Sequence, residues 1–270
     1  MSGMFSTRVI ALMPVAIAIN IVLGYTVQTV LKLPIYLDSI GTILVGVLAG
    51  PIPGALTGVL SNLIWQYAPG IGGGTIGPFA ITAGVIGLLA GLWGWLGVYR
   101  PRPASGTQLL LSALVGAALV ILVVLPIINN PAYTNPDIGG YPDWVYTAAI
   151  AIAAIAAVVV AAFIYVRRDL AGLWVAGAGI ITGIIAAFVS APIAAIAFGG
   201  VTGSGTDLLV AALRQGGADV LSASLGQGLF SDPIDKTITS FVVFIVLSGL
   251  SVRVLARFPL GERLTGGRSA

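Results

Sequence analysis

The sequence predicts an all-α polytopic membrane protein, a bundle of six to eight transmembrane helices with both termini in the cytoplasm. Three observations carry this expectation. Of 270 residues, 58% are hydrophobic and 8% charged, against roughly a quarter charged in soluble domains, so the chain lacks the polar groups to cover itself in water. Its 37 Gly are spread through apolar runs rather than gathered in linkers, as suits helices packed closely in lipid. Its Lys and Arg fall between apolar runs, where topology determinants belong.

A helix needs about 20 apolar residues to cross a bilayer. That criterion gives spans at 8–31, 36–50, 52–68, 76–99, 107–128, 144–166, 171–198 and 233–256. The first run is too long, and lacks the small-residue cleavage site, to be a removable signal peptide, so it is expected to remain as a span. The second and third are short, and Gly50-Pro51-Ile52-Pro53-Gly54 between them marks a tight helical hairpin or one re-entrant unit. Between the seventh and eighth, Thr206–Gln215 carries a Thr in cap position and apolar residues at helical spacing, which predicts a helix at the outer interface. Ala218–Phe230 is expected to lie beside it or to dip into the membrane.

With the N-terminus inside, Arg8, Arg100, Arg102, Arg167, Arg168, Arg253, Arg257, Arg263 and Arg268 are cytoplasmic, against Lys32, Arg214 and Lys236 outside. This bias supports the orientation and puts the segments 129–142 and 199–231 outside. A multi-pass protein of the plasma membrane, such as a bacterial inner membrane, is the expected setting.

Absences narrow the chemistry. The chain has no His and no Cys, so it has no imidazole base, no thiolate nucleophile and no His or Cys site for zinc, haem or iron–sulfur. No cofactor or metal is expected. The net charge of +3 follows from topology residues, which argues against a nucleic-acid partner. The glycines at 70–74 and 199–205 do not fit GxxxxGK[ST], so no nucleotide site is expected and the chain is not read as an enzyme.

Ionisable and amide side chains in apolar surroundings are costly and point to a site. Asp38 opens the second span, as a helix cap or as a group facing the external vestibule. Asp232, Asp235 and Lys236 stand at the expected head of the last span. Adjacent Asp235 and Lys236 should project apart, whereas Asp232 and Lys236 are i, i+4 neighbours. Asn62, Trp65, Gln66 and Tyr67 close the third span with hydrogen-bonding and stacking groups for a planar polar ligand. For Trp65 and Tyr67 alone, an aromatic interface belt is the competing explanation. Ala16, Asn20 and Gly24 form a stripe of mostly small residues for close helix contact, within the bundle or with a partner.

LPIYLDSIGTILVGVLAGPIPGALTGVLSNLIW, residues 33–65, resembles the second and third helices of the substrate-binding S components of energy-coupling factor transporters. ITAGVIGLLAGL, 81–92, resembles their next helix, and DPIDKTITSFVVFIVLSGL, 232–250, their last. APIAAIAFGGVTGSGTDLL, 191–209, is similar to a longer branch of that group. These stretches cover about a third of the chain. The resemblance implies a subunit that binds a vitamin or similar micronutrient from outside, without ATPase activity. It then associates with a transmembrane coupling subunit and two cytoplasmic ATPase subunits. In that family small residues in an AxxxA pattern on the first helix contribute to the coupling surface, and here the stripe reads Ala16, Asn20, Gly24. The candidate ligand is a neutral or cationic heteroaromatic compound, among them thiamine precursors, pyridoxine-like vitamins and nucleosides. The competing classes are a self-sufficient secondary transporter with Asp38 or Asp235 as a proton or sodium site, and a membrane enzyme or assembly factor.

Overall fold

A computed structural model describes residues 3–33, 35–71, 75–103 and 168–266, with isolated positions between 106 and 166. The expected spans 107–128 and 144–166 and the segment 129–142 lie, apart from such positions, outside the described residues. The described elements are helical. α1 (Thr7–Gly24) starts at Ser6, whose hydroxyl accepts the Val9 N–H, and continues into a wider π-helical stretch over Tyr25–Val30. α2 (Ile40–Ala49) and α3 (Pro51–Tyr67) meet at Gly50, whose φ of 108° is open only to glycine at low cost. Pro51 then opens α3 with its φ preset for a helix, so the expected hairpin is present. A single 3₁₀ turn, Gly77–Phe79, leads into α4 (Ala80–Trp95). After it come α5 (Ala171–Phe198), α6 (Asp207–Gln215) and α7 (Val220–Gly249), then the short α8 (Val252–Leu255) and α9 (Gly261–Thr265).

Among the described residues, three helical stretches, Thr7–Val30, Gly77–Trp95 and Ala171–Phe198, are long and apolar enough to cross a membrane. α2 has 10 residues, about 15 Å at 1.5 Å per residue, half the depth of a hydrocarbon core. It is therefore a half-length helix rather than a full span. α7 has 30 residues, about 45 Å, and corrects two expectations. It begins at Val220 instead of 233, so Ala218–Phe230 is mostly its first half, and Asp232, Asp235 and Lys236 lie near its middle rather than at its head. The cause is local: Asp219 accepts the N–H groups of Leu221 and Ser222 at 2.9 and 3.0 Å and caps the helix there, while Pro233 is carried inside it. The Thr206–Gln215 segment is helical as expected from Asp207 onward, although the Thr206 side chain makes no capping bond.

The helices alternate in direction, and three contacts gather one end of the bundle. The Leu260 N–H donates to the Leu48 carbonyl at 2.9 Å, the Arg263 guanidinium to the Trp95 carbonyl at 2.5 Å, and the Arg102 N–H to Asp169 at 2.7 Å. Both described termini, and Arg8, Arg100, Arg102, Arg168, Arg253, Arg257 and Arg263, therefore belong to this end. The apolar core, with Ile43, Val47, Leu48, Ile86, Val175 and Phe244, fills the half of the bundle next to it. The opposite half is where buried polar side chains collect.

Ala16, Asn20 and Gly24 are all buried. Gly41 of α2 lies against the Ala16 backbone and Trp65 of α3 against Gly24. The stripe is thus used inside the bundle, which corrects its assignment to a partner.

Close approach also sets the α5–α7 contact. A Cβ at Gly183 would sit 2.4 Å from the Pro233 backbone, and one at Gly179 would sit 2.6 Å from Thr237 Cα. Small residues four apart let helices meet at backbone distance in lipid, where packing rather than hydrophobicity drives association. Gly183→Val should accordingly lower the melting temperature in detergent by several degrees or abolish the folded yield. Gly177→Ala on the same helix, with nothing within 4 Å of the added methyl, should melt like the parent. Equal behaviour of the two variants would contradict this packing.

Candidate functional site

The site is assembled on the connection between α1 and α2. Leu37 sits there at a φ of 51°, a left-handed conformation costing an L-residue other than glycine roughly 1–2 kcal/mol. Asp235 of α7 compensates for it. Its Oδ1 accepts the N–H groups of Tyr36 at 2.9 Å and Leu37 at 2.8 Å, and the residue is fully buried. Its Oδ2 receives the Lys236 ammonium at 2.5 Å. The same ammonium donates to Ser39 Oγ at 2.7 Å and lies 3.5 Å from Asp38.

This pairing corrects the expectation that Asp235 and Lys236 point apart and that Lys236 turns to Asp232. Backbone directions do diverge for neighbours, but the long Lys stem folds back to where the loop has fixed the Asp235 carboxylate. Among the described residues no ion pair joins Lys236 to Asp232.

Asp38 does not cap α2. It accepts from Gln28 Nε2 at 3.0 Å and from Ser39 Oγ at 2.8 Å. Gln28 belongs to the π-helical stretch, a local widening that often accompanies functional sites. The orphan N–H at the start of α2 is met from another helix, because Asn20 Oδ1 of α1 accepts the Gly41 N–H at 2.7 Å. The Asn20 amide also donates to Thr42 at 2.8 Å and Ser61 at 2.9 Å, tying α1, α2 and α3 together.

Gln28, Tyr36, Asp38, Ser39 and Lys236 border a cavity of about 100 Å³, far more than one water occupies. Asp38, Ser39 and Lys236 line one part, Asn62 of α3 and Thr82 of α4 another, and Ser224, Gln227 and Asp232 of α7 a third. Tyr36 joins the parts, donating from its hydroxyl to Thr206 at 3.2 Å and accepting from Gln227 at 3.0 Å. Phe79 supplies an aromatic wall and stacks on Phe198 with ring centres 5.8 Å apart. A wider vestibule of about 320 Å³ shares Gln28, Thr75, Ile76, Thr202 and Ser204 with the cavity. Two loops meet over this passage, where Thr75 donates to the Thr202 carbonyl at 2.9 Å.

Of the residues expected to form a site, Asp38, Asn62 and Lys236 line the cavity, and Asp235 stands behind it as the brace of the loop. Trp65 is buried with its indole N–H on the Ile71 carbonyl at 3.1 Å, in the vestibule wall rather than in a membrane-facing belt. Gln66 accepts the Gly77 N–H at 2.7 Å and shapes the loop before α4. Tyr67 is 82% exposed and does not reach the cavity. Gln28, Tyr36, Thr82, Ser224 and Gln227 were not singled out from the sequence. Gln28 carries a usable signal, an amide within an apolar run, whereas Ser224 and Gln227 lie in Ala218–Phe230, expected beside the interfacial helix or dipping into the membrane.

Two buried hydroxyls on this cavity, Thr82 Oγ1 and Ser224 Oγ, have no hydrogen-bond partner. Among the described residues no group of three or more Asp, Glu, His or Cys is placed to hold a metal ion. The arrangement is suited to holding a small polar organic molecule. The chain matches no family profile, no curated protein and no solved structure.

Removing one partner of a buried ion pair costs on the order of 3–5 kcal/mol, because the other charge stays behind. Asp235→Ala should therefore lose most of its folded population, with Lys236 short of its nearest partner and two loop N–H groups unmet. The double variant Asp235→Asn, Lys236→Met removes both charges and keeps an acceptor for the loop, so it should regain much of the stability. Thermal unfolding in one detergent measures this, and a double variant no better than Asp235→Ala would contradict the bracing role.

Proposed function

We propose that this chain is the membrane-embedded substrate-binding subunit of an energy-coupling factor importer. It captures a small water-soluble vitamin, vitamin precursor or nucleoside-like compound from outside. A transmembrane coupling subunit and two cytoplasmic ATPase subunits then drive its release inward. The observation that carries this reading is the cavity itself, in which an apolar bundle surrounds a space ringed by amide, hydroxyl, carboxylate and ammonium groups. Polar groups in lipid are costly, and such a set is retained where a ligand uses it.

Two further points support it. The stretches that resemble S components, 33–65, 81–92 and 232–250, contribute Asp38, Asn62, Thr82, Asp232 and Lys236 to the cavity. The Arg-rich end lies opposite the vestibule, so the positive-inside rule puts the termini in the cytoplasm and opens the vestibule to the outside of the plasma membrane. With Ala16, Asn20 and Gly24 turned inward, the coupling contact falls to other surfaces.

One observation favours an ion-coupled secondary transporter instead, namely the carboxylates of Asp232 and Asp235 midway along α7. Binding and uptake separate the two. The purified chain should bind its substrate without ATP or partners. Asn62→Ala should weaken binding about tenfold, as expected for an unsatisfied neutral partner worth on the order of 1–3 kcal/mol. Uptake by cells should require the coexpressed coupling and ATPase subunits. Uptake that persists without them and collapses with a sodium or proton gradient would overturn the importer reading in favour of the transporter.

A further inference from the structure

We propose that the cavity takes an organic cation, a ligand whose positively charged nitrogen sits at Asp232 and whose hydrogen-bonding groups reach Ser224 and Thr82. The inference rests on the binding-subunit reading and names the substrate class of that site. The other described carboxylates in this half of the bundle are already engaged, Asp219 as the cap of α7. Asp235 has two backbone N–H groups and the Lys236 ammonium. Asp38 has Gln28, Ser39 and Lys236. Asp207 accepts the N–H groups of Thr202 and Gly203 and the Thr202 hydroxyl, which closes the turn ahead of α6.

Asp232 differs. It lines the cavity, is 5% exposed, and among the described residues receives only two long hydroxyl contacts, Ser231 at 3.4 Å and Ser190 at 3.5 Å. The Ser231 hydroxyl is itself engaged by Gln227 at 2.6 Å. Among the described residues no Lys or Arg nitrogen lies within 4 Å of it. Lys236 is the only cationic residue lining the cavity among those described, and it is drawn to Asp235, Asp38 and Ser39. A buried carboxylate with no ion-pair partner is costly, and an ammonium, amidinium or protonated ring nitrogen in the cavity supplies that partner.

The unpartnered hydroxyls are a second and independent observation. Ser224 is 1% exposed and Thr82 7%, both line the same cavity, and neither hydroxyl has a partner. Buried hydroxyls are nearly always bonded, so these two read as positions for polar groups of the ligand. Phe79 adds an aromatic wall to the cavity, and aromatic rings attract positive charge.

Matched probes that differ in charge on one skeleton test this. Purified full-length chain in nanodiscs is titrated with pyridoxamine, pyridoxine and 4-pyridoxate, and with benzylamine, benzyl alcohol and benzoate, reading thermal shift and then calorimetric affinity. The cationic members should raise the melting temperature, and their alcohol and carboxylate counterparts should bind at least tenfold more weakly. Asp232→Asn should abolish the preference for charge, Ser224→Ala should weaken all binding members, and Glu262→Gln on α9 should change nothing.

Equal or better binding of the neutral or anionic members overturns the proposal, as does cation binding that survives Asp232→Asn, or no shift with any cationic member. Neutral binding that is lost in Asn62→Ala would leave the binding-subunit reading standing and remove only the cation.

Discussion

A carboxylate sealed from water holds the polar half of this bundle in place. Asp235 sits midway along α7 and fixes the α1–α2 connection through two backbone N–H groups, and its negative charge in turn fixes Lys236. Lys236 reaches Asp38 and Ser39, and Asp38 reaches Gln28 on the π-helical end of α1. Three elements distant in sequence are thereby set around one space. The cost of burying two charges is offset only if every lone pair and proton finds a partner, and the left-handed turn at Leu37 is the backbone shape that lets the loop supply them.

The space itself follows from helix lengths. α2 spans about 15 Å beside α7 at about 45 Å, so α2 begins inside the bundle instead of at its edge. Its first N–H groups would stand unmet there, and Asn20 of α1 meets one of them at 2.7 Å. Beyond that level the chain offers loops and polar side chains in place of a packed helix, and a cavity remains. On the other side of the same level, Ile43, Val47, Phe244 and their neighbours close the core. Glycine contacts such as Gly183 on Pro233 bring α5 and α7 together, so the cavity wall is held by backbone-to-backbone packing.

Composition alone disclosed the helical class, and glycine with proline disclosed the α2–α3 turn, because Gly50 and Pro51 impose backbone geometry wherever they occur. That Asp38, Asn62 and Lys236 would line one cavity was legible for a related reason, since charged or amide groups amid apolar runs have few places to go. The start of α7 was not legible. Pro233 after Asp232 reads as a helix head, whereas the helix is capped earlier by Asp219 and carries Pro233 inside it. Nor does sequence spacing show that Lys236 would choose its neighbour over Asp232, because Tyr36 and Leu37, some two hundred residues earlier, decide where the Asp235 carboxylate points. The same distance hides the Tyr36–Gln227 bond, whereas the inward turn of Ala16 and Gly24 is hidden because their spacing puts them on one face without saying which neighbour that face meets.

Native mass spectrometry of the chain, extracted gently from membranes of cells that express it, tests the central claim that this cavity is a ligand site. The account predicts one small organic adduct per chain, displaced on heating. The same adduct should be absent from a folded Ala194→Trp variant, whose indole would fill the cavity that Ala194 borders. An adduct that remains in the plugged variant, or a parent chain that carries none from any growth medium, would contradict it.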